Sequence, residues 1–472
     1  MHQPPSLAPI ALAVYVLMRV AQWNDGLNLQ FFAGFLLLLG LMYSDLRQRH
    51  TKDDTRRAMV ILFVLAPFYS IPIYWLVRCW MDFRQRIPVR EFIITVECVI
   101  LFFFCQVGWS MMNELSDPDA RDIATELAQA QPATQEARKA ATLDVLNQNP
   151  YVPPWWMGNG HAQSFWGPLA RRHLEVEYRS ERWDTPDGDF IYVRFFDGEP
   201  NAPRVVLLHG LEGTANSPYI KGFNLAFHKL GWNVATVEFR FCSGEINKNK
   251  RIYHMGETSD TDFVVRKLAA DHPDQPLYIC GFSLGGNVLG KWLGEQGETL
   301  PPQVRGAAVI SPPFDPLISA PDFHKVLGGF YAWNFLKSLK PKALAKAEQY
   351  PGSIDVEALH NCKDFYEYDT IVTAALHGFE DATDYWRKVG CHQFLHAIRV
   401  PTMLLTSADD PFNPPETIPR EIADASPWLH PQWTEQGGHV GFVMGLLPWR
   451  PRYWMEEQTA AFFQAQEALY RP

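Results

Sequence analysis

The feature that most constrains this chain is a short apolar run, Leu277-Tyr278-Ile279-Cys280, that enters Gly281-Phe282-Ser283-Leu284-Gly285-Gly286 with no intervening loop. Helical spacing resumes over residues 287–293. A strand that turns at once into a helix leaves no room for side chains beside the bend. Glycines therefore flank Ser283, which is pushed into a strained conformation that projects its hydroxyl. As a bare pentapeptide the pattern is weak, arising by chance in roughly one chain in seven of this length. Its place between a strand and a helix is what gives it weight.

The sequence around it alternates in the same way. Residues 173–182 and 190–196, separated by Asp184-Thr185-Pro186-Asp187-Gly188, predict an opening hairpin. Apolar runs at 204–208, 233–239, 307–311 and 402–407 predict further strands, and helical spacing appears at 218–230 and 258–270. Such alternation predicts an α/β fold with a mostly parallel central sheet covered on both faces. The stretch between the last two strands has helical spacing and many aromatics, predicting a helical cap insertion at about 315–398.

A serine hydroxyl attacks poorly unless a base removes its proton, and that base needs a carboxylate to orient it. Ala408-Asp409-Asp410-Pro411 follows one predicted strand, and Gly437-Gly438-His439-Val440-Gly441 follows the next. The candidate triad is Ser283 and His439 with either Asp409 or Asp410, between which the residues alone do not choose. A tetrahedral oxyanion also needs two backbone N–H donors. Leu284, directly after the serine, and Leu211, in His209-Gly210-Leu211-Glu212-Gly213 after the third strand, occupy those positions. No metal and no organic cofactor is implied.

Composition narrows the remaining classes. The net charge of −10 gives no basic footprint, and the chain carries no nucleic-acid motif, so nucleic-acid binding is not expected. Seven cysteines, Cys79, Cys98, Cys105, Cys242, Cys280, Cys362 and Cys391, are odd in number and widely spaced, with no CxxC pair. They read as buried thiols in a reducing compartment.

Residues 1–115 differ from the rest. Apolar stretches at 7–23, 27–43, 58–80 and 92–112 are each 17 to 23 residues long, enough to cross or nearly cross a hydrocarbon core about 30 Å thick. The first lacks a basic leader and a small-residue cleavage site, which predicts a retained anchor. An α-helical transmembrane region of about four helices is therefore expected to precede the α/β domain. With four spans, the basic loop at 44–57 lies on the same side as the C-terminal domain, which the positive-inside rule makes cytoplasmic. Pro67 and Pro72 leave open a re-entrant third segment, which would place both basic loops opposite that domain. The resulting organisation is a membrane region at 1–115, a helical linker at 116–155 and an α/β domain at 156–472.

Six blocks in order carry a family resemblance. They are residues 209–213 with Ser217-Pro218-Tyr219; Phe241-Cys242-Ser243-Gly244-Glu245; Arg251-Ile252-Tyr253-His254 with Gly256-Glu257-Thr258; residues 281–287; Asp409-Asp410-Pro411-Phe412; and residues 437–442. Together they resemble the α/β-hydrolase subfamily of bacterial YheT-type hydrolases and eukaryotic membrane-anchored acylglycerol lipases and medium-chain ester synthases. The match begins near Asn159-Gly160-His161-Ala162-Gln163, where Gly160 departs from the family's usual proline, and the apolar stretches lie outside it. The resemblance implies a serine carboxylic-ester hydrolase acting through an acyl-enzyme, and it favours Asp410 as the triad acid. Expected substrates are short to medium-chain acyl esters or acylglycerols. Alternatives are an acyltransferase using the same triad, or a catalytically inactive membrane scaffold. The expected setting is an integral protein of a bacterial inner membrane in contact with the lipid bilayer; oligomeric state is left open. Phe323, Phe330, Tyr331, Trp333 and Phe335 are either cap core or substrate wall. Asp369, His377 and Asp384-Tyr385-Trp386 also resemble the family and read as cap packing.

Overall fold

The computed structural model of the chain describes residues 132–470. The four apolar stretches, their orientation and the first part of the linker lie outside the described residues. Among those described, no helix is long and apolar enough to cross a membrane.

The described chain opens with helix α1 (Gln135–Leu146), started by Thr134, whose side chain accepts from the Ala137 amide. Helix α2 (Gly160–Ala170) is started in the same way by Asn159. An antiparallel hairpin follows, β1 (Arg179–Asp184) and β2 (Phe190–Phe196). Then come β3 (Arg204–Leu208), α3 (Pro218–Lys229), β4 (Asn233–Glu238), α4 (Ser259–Asp271) and β5 (Leu277–Phe282). Helix α5 (Leu284–Gln296) starts directly after Ser283 and leads to β6 (Val304–Ile310). Strands β7 (Thr402–Ser407) and β8 (Leu429–Thr434) resume after a helical insertion. A short ladder of β9 (Val443–Met444) and β10 (Arg452–Tyr453) precedes helix α6 (Trp454–Tyr470).

The eight-stranded sheet has the order β1-β2-β4-β3-β5-β6-β7-β8. Strand β2 pairs antiparallel to β4, and every pairing from β4 through β8 is parallel. The inner strands are buried along their whole length, as required when both faces are covered. Val205, Leu207, Tyr278 and Cys280 face α3 and α6 through Ile220, Phe223, Phe227, Phe462 and Phe463. Val206, Leu208 and Ile279 face α4 and α5 through Val264, Val265, Val288, Leu289 and Trp292. The apolar runs in the sequence therefore correspond to strands that feed two cores at once.

Three elements begin three residues or more away from where the sequence predicts; one is β6, which starts at Val304 and not at 307. Strand β1 begins at Arg179 and not at 173, because Arg179 already pairs with Phe195 near the end of β2. Residues before it have no strand to pair with, and Tyr178 instead donates to the Ala215 carbonyl at 2.7 Å. Helix α5 begins three residues before the periodicity resumes, since Gly285 and Gly286 form its first turn without an apolar side chain to register. Within the stretch read as linker, α1 lies against α6, with Val145 packed on Ala465 and Ala468.

The insertion between β6 and β7 is helical from Pro316 to Ala397 and includes the twenty-residue helix Phe330–Gln349 and the helix Ala382–Val389. Its own core joins Leu336, Leu339, Leu359, Val372 and Leu376. Asn287 on α5 ties this cap to the sheet domain, donating to the carbonyls of Met255 and Val389 and accepting from the Cys391 amide at 2.8–2.9 Å.

A buried cation joins the hairpin turn to the central sheet. Arg240, fully buried just beyond β4, forks onto Asp260 of α4 at 2.6 and 2.7 Å and onto Asp187 and Asp189 at 2.8 and 2.9 Å. Removing one member of such a cluster strands its buried partners. Arg240→Met is expected to destabilise the domain by about 3–5 kcal/mol, read as a lowered denaturation midpoint.

Burial also holds His209, His377 and His430 down to about 4, so they are neutral in the folded protein at neutral pH. Unfolding lets them bind protons at their ordinary values near 6.5. Their contribution is present above that value and is lost as pH falls toward 4. Chemical denaturation at stepped pH should show stability falling across that window; a flat profile would count against it.

Candidate active site

At Ser283 the backbone has φ 52° and ψ −118°, a conformation that L-residues rarely adopt. Two close approaches hold it. A side chain at Gly285 would meet the carbonyls of Leu208 and His209 at 2.4 Å, and one at Gly281 would meet the Gly285 carbonyl at 2.4 Å. The glycines thus let the bend close against the end of β3. The Ser283 amide donates to the Ile310 carbonyl at 2.9 Å, locking the turn onto β6.

Loops from the same edge of the sheet supply the other groups. His439, on the loop after β8, places Nε2 2.8 Å from Ser283 Oγ. Its Nδ1 lies 2.8 and 3.1 Å from the two carboxylate oxygens of Asp410, on the loop after β7. With the carboxylate as acceptor, Nδ1 carries the proton and Nε2 accepts from the serine. The Asp410 side chain is fully buried, held by the Phe412 amide at 2.8 Å and Asn413 Nδ2 at 3.0 Å. Phe412 also lays its ring 4.2 Å from the imidazole.

Asp409 points elsewhere. Its carboxylate accepts from the Gly438 amide at 2.8 Å and so braces the histidine loop, while burial raises its pKa. Geometry therefore separates two adjacent aspartates that the sequence leaves equivalent.

Leu211 and Leu284 both line the cavity above Ser283. The amides on either side of Leu211 are taken: Gly210 donates to Tyr219 Oη at 2.8 Å and Glu212 to Tyr253 Oη at 2.9 Å. Among the described residues, no acceptor engages the N–H of Leu211 or Leu284. His209, below them, accepts from the Phe239 amide and contacts the Gly210 carbonyl at 2.8 Å, which fixes the loop.

One contributor was not legible in sequence. Helix α2 grips the histidine loop: the His439 amide donates to Ser164 Oγ at 2.8 Å, and Gln163 Oε1 accepts from the Val443 amide at 2.8 Å. A side chain at Gly160 would come within 2.0 Å of the Asp409 carbonyl. The unusual glycine in that block is thus where α2 and the acid loop touch. No local pattern around residue 160 reveals a partner some 250 positions away.

The cavity has a volume of about 400 Å³ and is lined chiefly by apolar side chains from the cap and α2. Phe323, Phe330, Tyr331 and Phe335 line it, whereas Trp333 is 58% exposed on the outer face. Asp369, Tyr385 and Trp386 line it too, beyond the purely structural packing read from sequence; His377 and Asp384 do not. Among the described residues, no cluster of His, Cys, Asp and Glu side chains could hold a metal ion, and the four cysteines among them are buried and unpaired.

The family description "alpha/beta hydrolase fold" matches residues 203–445. YheT of Escherichia coli (strain K12), which carries a provisional esterase name, is 36% identical over 315 residues, covering 65% of this chain and 91% of that protein. The chain belongs to the α/β-hydrolase family, in its YheT-type branch. Within that branch it is similar to human phospholipase ABHD3, 27% identical across 67% of this chain and 78% of the relative. It is also similar to the monoacylglycerol lipase of Saccharomyces cerevisiae, 26% identical across 62% and 68% respectively. This α/β hydrolase is an esterase- or lipase-type serine hydrolase.

The two aspartates generate a direct comparison. Asp410→Asn should lower ester turnover by about 10⁴-fold, because the amide favours the wrong imidazole tautomer. Asp409→Asn should cost far less, since its carboxylate faces the Gly438 amide and not the imidazole; steady-state kinetics on both variants checks this.

Proposed function

We propose that the protein hydrolyses carboxylic esters through Ser283, His439 and Asp410, on short to medium-chain acyl esters or acylglycerols. The observation that carries this reading is the unbroken relay of 2.8 Å contacts from Ser283 Oγ through His439 to Asp410 at the floor of an apolar cavity.

Ser283 Oγ attacks the ester carbonyl while His439 Nε2 takes its proton. The oxyanion rests on the amides of Leu211 and Leu284, which have no other acceptor to release among the described residues. The imidazolium then gives its proton to the leaving alcohol, and an acyl-enzyme is left on Ser283. Water, deprotonated by the same Nε2, attacks the acyl carbonyl; the tetrahedral intermediate collapses to the carboxylic acid, and Ser283 regains its proton. Asp410 holds the Nδ1–H throughout and stabilises the cationic ring when it forms.

The cavity wall supports an acyl substrate: aromatic side chains run from Phe165 on α2, stacked on Tyr331, to Phe412 beside the histidine, which meets Tyr331 edge to face, with ring centroids 4.7–5.2 Å apart. Such a wall receives hydrocarbon and keeps water from the ester until the leaving group departs. The apolar stretches of residues 7–112, read as membrane spans, accord with esters that partition into a bilayer.

Ser283→Ala should reduce ester hydrolysis by about 10⁴-fold or more and abolish covalent labelling by a fluorophosphonate probe. Near-normal turnover in that variant would overturn the mechanism, and an unlabelled native protein would favour an inactive scaffold. Given a thioester donor and an alcohol, the native enzyme should form mainly free acid; mainly new ester would assign it to acyl transfer.

A further inference from the structure

The loop after β3 holds one residue in a backbone conformation that its side chain does not favour. Gly210 to Gly213 form a tight turn closed by the Gly213 amide, which donates to the Gly210 carbonyl at 3.0 Å. Glu212 takes the third place of that turn with φ 57°, in the left-handed region where glycine is ordinarily found. The turn bears on Ser283 through a single planar peptide. The Gly210 carbonyl also accepts from His209 Nδ1 at 2.8 Å, so its direction is fixed, and the Leu211 N–H, trans across the same peptide bond, points the opposite way. Gly210 itself lies against the nucleophile, since a side chain there would come within 3.2 Å of Ser283 Cβ. Whatever keeps Glu212 left-handed therefore aims the Leu211 amide.

Two side chains from distant segments keep it there. The Glu212 amide donates to Tyr253 Oη at 2.9 Å, and the Tyr253 hydroxyl donates back to Glu212 Oε1 at 2.8 Å, so one phenol holds both the backbone and the side chain of the strained residue. Tyr253 is itself buried, its ring parallel to that of Phe239 with centroids 5.8 Å apart. Lys342, on the cap helix Phe330–Gln349, donates to the same carboxylate oxygen at 2.8 Å. The Glu212 side chain is only 10% exposed, and a charged contact with so little water around it is stronger than one on the surface. Tyr253 and Lys342 thus meet at one carboxylate, beside the turn and not beside the triad.

We propose that Tyr253, Glu212 and Lys342 are positioning residues for the oxyanion hole, which hold the turn that aims the Leu211 amide and make that aim depend on the seating of the cap helix. The proposal rests on the hydrolase reading of Ser283 and deepens it. A misaimed amide loses most where charge develops, on the tetrahedral oxyanion, and little on the trigonal ester that precedes it. The signature is a fall in kcat with KM nearly unchanged.

The test uses the full 472-residue protein with propyl octanoate as substrate. Tyr253→Phe, which deletes one oxygen and keeps the ring, should lower kcat by at least about tenfold, and Lys342→Met by at least about threefold, each with KM changed by less than about twofold. Octyl trifluoromethyl ketone reads the hole directly: Ser283 Oγ adds to its carbonyl carbon, His439 takes the serine proton, and the resulting oxyanion rests on the Leu211 and Leu284 amides. Its inhibition constant should rise in each variant by about the factor lost in kcat/KM, whereas that of octyl methyl ketone, which binds as the trigonal ketone, should move less than about twofold. A kcat within about twofold of native in both variants, a trifluoromethyl ketone constant that does not follow kcat/KM, or an equal loss on both ketones would overturn the positioning role. Native protein that hydrolyses the ester and takes a fluorophosphonate label, with variants that match it, sinks the positioning role alone; native protein that does neither sinks the hydrolase reading. Denaturation midpoints verify the fold of the variants, and Lys342→Met, at a side chain 28% exposed, decides the matter if Tyr253→Phe does not fold cooperatively.

Discussion

Ser283 keeps a left-handed backbone because β5 and α5 close on each other across Gly281 and Gly285, with the carbonyls of Leu208, His209 and Gly285 filling the space where side chains would be. That closure ties the serine to the end of β3, which carries the Leu211 amide, and to β6 through the Ile310 carbonyl. The strain is local, yet its support is global: three strands and a helix must be in register before the hydroxyl stands where an imidazole can reach it. The rest of the site is arranged around a point that the sheet has already determined.

The histidine side is held by a different device. Its loop is long and rich in glycine, and its contacts include four that matter here: Asp409 on the Gly438 amide, Ser164 on the His439 amide, Gln163 on the Val443 amide and Asp410 on the ring. Three of these hold backbone and only one holds the imidazole. In the proposed mechanism the imidazole alternately receives and releases a proton, and this division maintains the ring position through both states. It also gives Asp409 and Asp410 distinct tasks from adjacent positions.

The cap is tied to the hydrolase sheet by polar contacts as well as by its own apolar core. Asn287 reaches from the helix behind the serine to two cap-side backbones, and buried Lys346 donates to the carbonyls of Asn247 and Asn249 at 2.7 Å. These ties join the cap, which roofs the cavity above Ser283, to the sheet domain.

Much of this was legible in the sequence, for a physical reason. Strands β3, β5 and β7 are buried on both faces and so appear as unbroken apolar runs, and the flanking glycines mark a bend that no side chain could occupy. The places of Ser283, His439, Leu211 and Leu284 around one cavity follow from such local rules, together with the order of loops at one sheet edge. Which of Asp409 and Asp410 faces the imidazole could not follow, since adjacent residues in a loop differ only in direction. The grip of α2 on the histidine loop, the contact between Gly160 and Asp409, and the cavity-facing places of Tyr368 and Asp369 likewise depend on segments far apart in the chain. Sequence by itself determined the backbone that presents the chemistry, because periodicity and glycine placement are local. Tertiary structure alone decided which polar groups meet, because a hydrogen bond spanning hundreds of residues leaves no local trace.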